Sequence, residues 1–148
     1  MTYDALLQFI NLSVLPAWAL LILAPLWKGT RAIVHSMLYP LVLGGIYIGC
    51  FIAVFMGEGA SGGGFTSIEG IRTLFSSDAG IVIGWAHYLV FDLFVGAWEA
   101  RDAQRRGFNH WLLIPCLLLT FMAGPVGLVL YLILRAVTTN GKWHLADN

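Results

Sequence analysis

Charged residues are scarce in this chain. Asp, Glu, Lys and Arg make up 11% of its 148 residues and hydrophobic residues 59%, whereas charged residues average about 25% in soluble proteins. The eight basic and eight acidic residues cancel, so the sequence predicts no nucleic-acid-binding surface. The composition indicates an integral membrane protein and leaves no length for a separate soluble domain.

Histidine and cysteine are also sparse. The chain has four histidines and two cysteines, with no HxxH, HxxxH or CxxC pair. This excludes the usual sequence patterns of a histidine-rich di-iron oxygenase and of a thioredoxin-like redox site. Cys50 and Cys116 lie within apolar runs, so we predict that both act as small buried hydrophobic residues.

Four apolar runs are long enough to cross a hydrocarbon core of about 30 Å as helices. They cover residues 5–27, 33–56, 79–100 and 111–134. We therefore predict an all-α integral membrane protein, a bundle of four transmembrane helices that forms one membrane domain over residues 1–148, with a polar tail at 135–148. Gly124-Pro125 should bend or break the last helix.

A short helix is predicted between the second and third runs. Thr66 and Glu69 have the spacing of a capping box, which starts a helix. Phe65, Ile68, Ile71 and Phe75 fall roughly on one side of it. We expect an amphipathic helix lying in the membrane interface.

Basic residues are unevenly divided between the connections. Five fall on one side of a four-helix topology and three on the other: Lys28, Arg31, Arg101, Arg105 and Arg106 against Arg72, Arg135 and Lys142. The positive-inside rule then predicts cytoplasmic basic turns and both termini outside. No basic residue precedes the first apolar run, which argues against a cleaved signal peptide. We expect a bacterial cytoplasmic membrane, the alternative being a plastid protein without its leader.

The third run carries polar residues at a depth where lipid makes them costly. A carboxylate near the middle of a spanning helix costs at least about 2.5–3.5 kcal/mol unless it faces protein or water. At about 100° per residue, one side of the helix carries a polar seam, made of Tyr88, Asp92, Val95 and Glu99. The neighbouring side carries rings that could form a wall for a flat apolar ligand: His87, Phe91, Phe94 and Trp98.

Two motifs resemble the abscisic acid-deficient-four-like family of small four-span membrane proteins. The first reads Trp85-x-His87-Tyr88-Leu89-x-Phe91-Asp92-Leu93-Phe94-Val95-Gly96-x-Trp98-Glu99-x-x-Asp102. The second reads Pro115-Cys116-Leu117-x-Leu119-Thr120-Phe121-x-x-Gly124-Pro125-x-Gly127-Leu128. Together they cover about residues 84–135, and the first half of the chain matches only in general pattern.

The resemblance implies a carotenoid substrate. The plant members are tied to the conversion of violaxanthin to neoxanthin, an epoxide-to-allene isomerisation without net redox change. This chemistry needs an acid and a base and no obligatory cofactor, so none is expected. Asp92 or Glu99 would supply the acid, and His87 could accept a proton.

Carried onto this chain, the family motif predicts two groups of site residues. The catalytic candidates are His87, Tyr88, Asp92, Glu99 and Asp102. The candidate carotenoid contacts are Trp85, Phe91, Phe94, Trp98 and Phe121, which lie within the two motifs, and Tyr39, which lies outside them. The expected partners are a carotenoid or similar long isoprenoid and the lipid bilayer, and a homo-oligomer is left open.

Three other interpretations use the same residues. The carboxylates could have only structural partners: Tyr39 or His35 for Asp92, and the nearby arginines for Glu99 and Asp102. A mixed metal site could form from His35, Glu99, Asp102 and His110, all near the predicted cytoplasmic helix ends. A non-catalytic carotenoid-binding protein would use the aromatic side without needing a titrating carboxyl.

Overall fold

The computed structural model describes residues 2–58 and 61–138, and all regular structure in these ranges is helical. The chain divides into two compact units. One contains the described residues of Met1–Pro16 and Ser36–Phe91, and the other those of Ala17–His35 and Asp92–Asn148. The first four residues of the predicted polar tail, 135–138, are the last turn of a helix, and residues 139–148 lie outside the described residues.

Three helical stretches are long and apolar enough to cross a membrane. They are α1 (Tyr3–Leu23), the stretch Lys28–Gly57, and α5 (Asp78–Arg105). The middle stretch consists of α2 (Lys28–Ile33), α3 (Leu38–Ala53) and a π-helical turn (Val54–Glu58). The basic turn predicted at residues 28–31 is thus a short helix. The chain is a helical membrane protein.

The fourth predicted span is not one helix. The run at 111–134 is divided into α6 (His110–Ala123) and α7 (Pro125–Thr138), each of 14 residues. Gly124 separates them with φ 35° and ψ −92°, a backbone conformation that favours glycine. Pro125 starts α7, where the missing N–H of proline is harmless. The predicted break is confirmed, and the four-span count is not.

The two halves of this run turn back on each other. A β-carbon at Gly127 of α7 would overlap the backbone nitrogen of Thr120 and would lie 2.5 Å from the carbonyl oxygen of Cys116, both in α6. Further along α7, the ring of Tyr131 lies 5.6 Å from that of Phe108, before α6 begins. The pair α6–α7 is therefore a helical hairpin with Gly124 at its tip.

We predict that Gly127→Ala destabilises the protein, by about 1–3 kcal/mol or more, because the new methyl group has no room against α6. The matched control is Gly49→Ala in α3, where a β-carbon meets nothing within 4 Å. Alanine is the better helix former, so the control should be neutral or slightly stabilising. Thermal unfolding of the two purified variants in the same detergent checks this, and equal melting temperatures would contradict the hairpin packing.

The short helix predicted between the second and third runs is present as α4 (Ile68–Leu74), in the first unit. Its N-cap is Ser67, whose Oγ accepts a hydrogen bond from the Gly70 N–H at 3.0 Å, and not Thr66 as the capping-box spacing predicted. Glu69 instead forms an ion pair with Arg72. The apolar side chains predicted to share one side are all exposed: Phe65, Ile68, Ile71 and Phe75. This pattern fits the predicted interfacial position.

Candidate functional site

Helix α5 carries three buried carboxylates. The exposed fraction is 8% for Asp92, 0% for Glu99 and 4% for Asp102. Their spacing of seven and three residues keeps them on one side of a 3.6-residue helix. All three belong to the second unit, in which α6 and α7 supply side chains that hold Glu99 and Asp102.

Glu99 is held by α6. The Thr120 hydroxyl lies 3.0 Å and 3.1 Å from the two carboxylate oxygens and donates its hydrogen bond to them. Thr120 is itself fully buried, and Gly127 packs on its backbone. The packing of α7 on α6 therefore holds Thr120 in place, and Thr120 holds the Glu99 carboxylate.

Asp92 lies at the tip of the hairpin. A β-carbon at Gly124 would approach its Oδ1 to 2.6 Å, so the missing side chain of Gly124 makes room for the carboxylate. The carboxylate is buried against the turn between α6 and α7 and does not point out at acyl chains.

Asp102 is the centre of a buried ionic cluster. Its Oδ2 accepts a hydrogen bond of 2.6 Å from the Tyr131 hydroxyl and lies 3.1 Å from Nη1 of Arg135. Its Oδ1 accepts one of 2.9 Å from Nε of Arg106. Arg135 is only 2% exposed. The negative charge of Asp102 is thus paired with two arginines within the fold.

The two arginine partners of Asp102 bear on the count of basic residues on each side of the membrane. A four-helix topology places Arg135 on the opposite side of the membrane from Arg106, yet both contact the same carboxylate. The reason is the hairpin, which returns α7 to the end of α5 from which α6 starts.

The predicted carotenoid contacts of the second unit divide between surface and interior. Phe94 is 54% exposed. Trp98 is half-buried and meets Tyr131 edge-on at 5.8 Å. Phe121 is half-buried and lies 5.3 Å from the ring of Trp18. Trp98 and Phe121 are therefore engaged with protein rings, while Phe94 is open to the bilayer.

The site residues of the first unit lie mostly at its surface. Phe91 is 56% exposed, and the exposed His87 ring lies 4.6 Å from it. Trp85 stacks on Tyr88 at 5.5 Å and donates a 2.7 Å hydrogen bond from Nε1 to Oδ1 of Asn11. Tyr39 is half-buried. The exposed rings lie at the surface of this unit and do not line its core.

The residues of the alternative metal site do not come together within the described ranges, 2–58 and 61–138. No three His, Cys, Asp or Glu side chains converge there as a metal site would need. His35 Nδ1 lies 3.2 Å from Nη1 of Arg101 and accepts its hydrogen bond. His110 donates from Nε2 to the carbonyl of Ile22 at 2.8 Å. Glu99 and Asp102 are engaged by the threonine, tyrosine and arginines of their own unit.

Comparison with known families gives one match that covers most of the chain. The family described as ABA DEFICIENT 4-like matches residues 5–131. The chain belongs to this family. Comparisons with curated proteins and with solved structures gave no significant match.

The match extends beyond the two motifs that carried the resemblance. It includes α1 from Ala5 onward, the stretch Lys28–Gly57, α5, and the hairpin as far as Tyr131. The second motif of this ABA DEFICIENT 4-like protein covers α6 and the start of α7, so it contains the residues that shape the hairpin tip. The motif glycines Gly124 and Gly127 are two places where the hairpin excludes a side chain.

Sequence reasoning assigned no role to four residues of the second unit: Thr120, Tyr131, Arg135 and Trp18. The spacing of Tyr131 and Arg135 puts both on one side of α7. This spacing indicates shared contacts with Asp102 only when α7 is known to return to the end of α5. Trp18 is buried over Gly96 of α5, and its Nε1–H has no hydrogen-bond partner among the described residues. A lone tryptophan in an apolar run gives no sign of such a position.

Proposed function

We propose that this protein isomerises the end group of a carotenoid in the membrane by acid and base catalysis. Membership of the ABA DEFICIENT 4-like family supports the carotenoid. The observation that carries the chemistry is the pair of buried carboxyl groups, Asp92 and Glu99, on one side of a helix that is apolar enough to cross a bilayer. Such groups are costly in lipid unless they have a function or a partner.

The reaction class is the conversion of an epoxide to an allene. An acid protonates the epoxide oxygen as its C–O bond breaks, and a base removes a proton from the adjacent polyene chain as the allene forms. One proton is given and one is taken, so the product is an isomer of the substrate and no redox cofactor is consumed. General acid and base groups contribute about 10²–10⁴-fold each to such steps.

Asp92 is the carboxyl group that we assign to the reacting end group. It lies beside Gly124 at the tip of the hairpin and is 8% exposed, whereas Glu99 is fully buried. Glu99, held by Thr120, is the second proton carrier. His87 and Tyr88 lie in the first unit and have no role in this assignment. Asp102 has a structural role, because its charge is already paired.

We expect the carotenoid to approach the protein at its exposed aromatic surface. A carotenoid is dissolved in the bilayer, so we expect it to meet the exposed ring of Phe94 in the second unit directly. Ring faces pack well on a flat polyene and gain hydrophobic contact without ordering a charged group. The polar end group then needs to reach only the buried side of α5.

Expression in a carotenoid-producing bacterium tests this function. Pigments extracted from cells with the wild-type chain should contain a new carotenoid that the empty-vector control lacks. The second candidate is a non-catalytic carotenoid-binding protein, favoured by the amount of exposed aromatic surface. It predicts an unchanged pigment profile, with a carotenoid that copurifies with the protein. Neither a new nor a bound carotenoid, in hosts that make epoxidised and hydroxylated carotenoids, would contradict both.

A further inference from the structure

We propose that α6 and α7 form a re-entrant hairpin, which enters the membrane and leaves it on the same side. The chain then crosses the membrane three times, and the end of α7 lies on the cytoplasmic side, opposite the N-terminus. This topology does not depend on the carotenoid chemistry. It replaces the four-crossing topology in which both termini are outside.

The first support is length. Fourteen residues of helix rise about 21 Å, which is short of a hydrocarbon core of about 30 Å. Gly124 lies between α6 and α7 and is buried. Its N–H donates to the carbonyl of Thr120 at 2.9 Å, and its carbonyl accepts from the N–H of Gly127 at 3.1 Å. Irregular backbone at membrane depth is tolerated only under such protection.

The second support is where α7 ends. A continuous helix from Phe108 to Tyr131 would separate these residues by roughly 34 Å, but their rings lie 5.6 Å apart. One turn later, Arg135 contacts Asp102. The end of α7 therefore returns to the end of α5 from which the chain entered α6.

The third support comes from two hydrogen bonds that place the end of α1 on the same side of the membrane as the end of α5. The Gln104 amide donates to the carbonyl of Pro25 at 3.2 Å, and His110 donates to that of Ile22 at 2.8 Å. The end of α1 thus lies beside the end of α5. Because α1 crosses the membrane once, its first residue is on the opposite side.

The fourth support is charge. In the hairpin topology, six of the seven basic residues in the described ranges share one side: Lys28, Arg31, Arg101, Arg105, Arg106 and Arg135. Arg72, between the second and third crossings, is the described basic residue on the other side. Over the same seven residues, the four-span topology gives five against two. The positive-inside rule thus assigns this side to the cytoplasm with a stronger bias.

Cysteine labelling of the full chain in bacterial spheroplasts tests the proposal. Three single cysteines replace exposed residues, in Ser61→Cys, Arg105→Cys and Thr138→Cys. A membrane-impermeant maleimide should label Ser61→Cys in intact spheroplasts and the other two only after lysis. The parent chain, whose Cys50 and Cys116 are buried, sets the background.

Reporter fusions at the C-terminus give a second measurement. Green fluorescent protein should fluoresce there, and alkaline phosphatase should be inactive. Labelling of Arg105→Cys and Thr138→Cys from opposite sides, or an active phosphatase fusion, would overturn the hairpin topology. Labelling of both from outside would overturn the orientation.

Discussion

Asp92→Asn should lower carotenoid turnover by at least about 100-fold while the pigment still binds. The amide keeps the size and polarity of the side chain beside Gly124, but it cannot give or take a proton at neutral pH. General acid–base catalysis contributes about 10²–10⁴-fold, so most of the rate should disappear. Product formation in membranes with equal amounts of protein measures the loss, and the carotenoid that copurifies measures binding.

A matched control comes from the same helix. Asp78 is an exposed aspartate in the first turn of α5, and Asp78→Asn makes the same chemical change away from the site. We expect it to keep wild-type turnover. Unchanged turnover in Asp92→Asn would remove Asp92 from the mechanism. An equal loss of turnover in both variants would show that the effect of the substitution is not specific to Asp92.

Arg135→Gln should destabilise the fold by about 3 kcal/mol or more. Breaking one side of a buried ion pair typically costs about 3–5 kcal/mol, because a charge is left without compensation. Asp102 keeps Arg106 and the Tyr131 hydroxyl as partners, so we expect the lower end of this range. The melting temperature of the purified protein in detergent is the measurement.

The matched control for Arg135 is Arg105→Gln. Arg105 is exposed at the end of α5, and removal of one exposed charge changes stability by well under 1 kcal/mol. If the two variants melt together, the cluster around Asp102 does not hold α7 in place. The hairpin would then rest on the packing of Gly127 alone.

Local patterns in the sequence predict the parts of this fold that depend on local physics. Apolar length identifies α1, the stretch Lys28–Gly57 and α5, and helical periodicity puts Asp92 and Glu99 on one side. Glycine before proline predicts the break at Gly124. The short helix α4 is also predicted, although its cap is Ser67 and not Thr66, since two neighbouring hydroxyl residues offer the same capping chemistry.

The course of the chain after the break cannot be predicted from local patterns. Whether α7 continues through the membrane or returns depends on contacts between residues distant in the sequence, such as Arg135 with Asp102. The partner of Glu99 is equally non-local, because Thr120 resembles many threonines in apolar helices until α6 is packed on α5. Close packing at a glycine is also non-local: a β-carbon would meet nothing within 4 Å at Gly45 or Gly49, whereas at Gly127 it would overlap α6.

The most direct test of the central claim, catalysis by Asp92 and Glu99 on a carotenoid end group, is the mass of the product. Purified protein in lipid nanodiscs is incubated with an epoxy-carotenoid such as violaxanthin and analysed by liquid chromatography and mass spectrometry. We predict a new peak of unchanged molecular mass, formed by the wild-type protein and not by Asp92→Asn. A product that has gained or lost an oxygen atom or water, or equal product from both proteins, would contradict it.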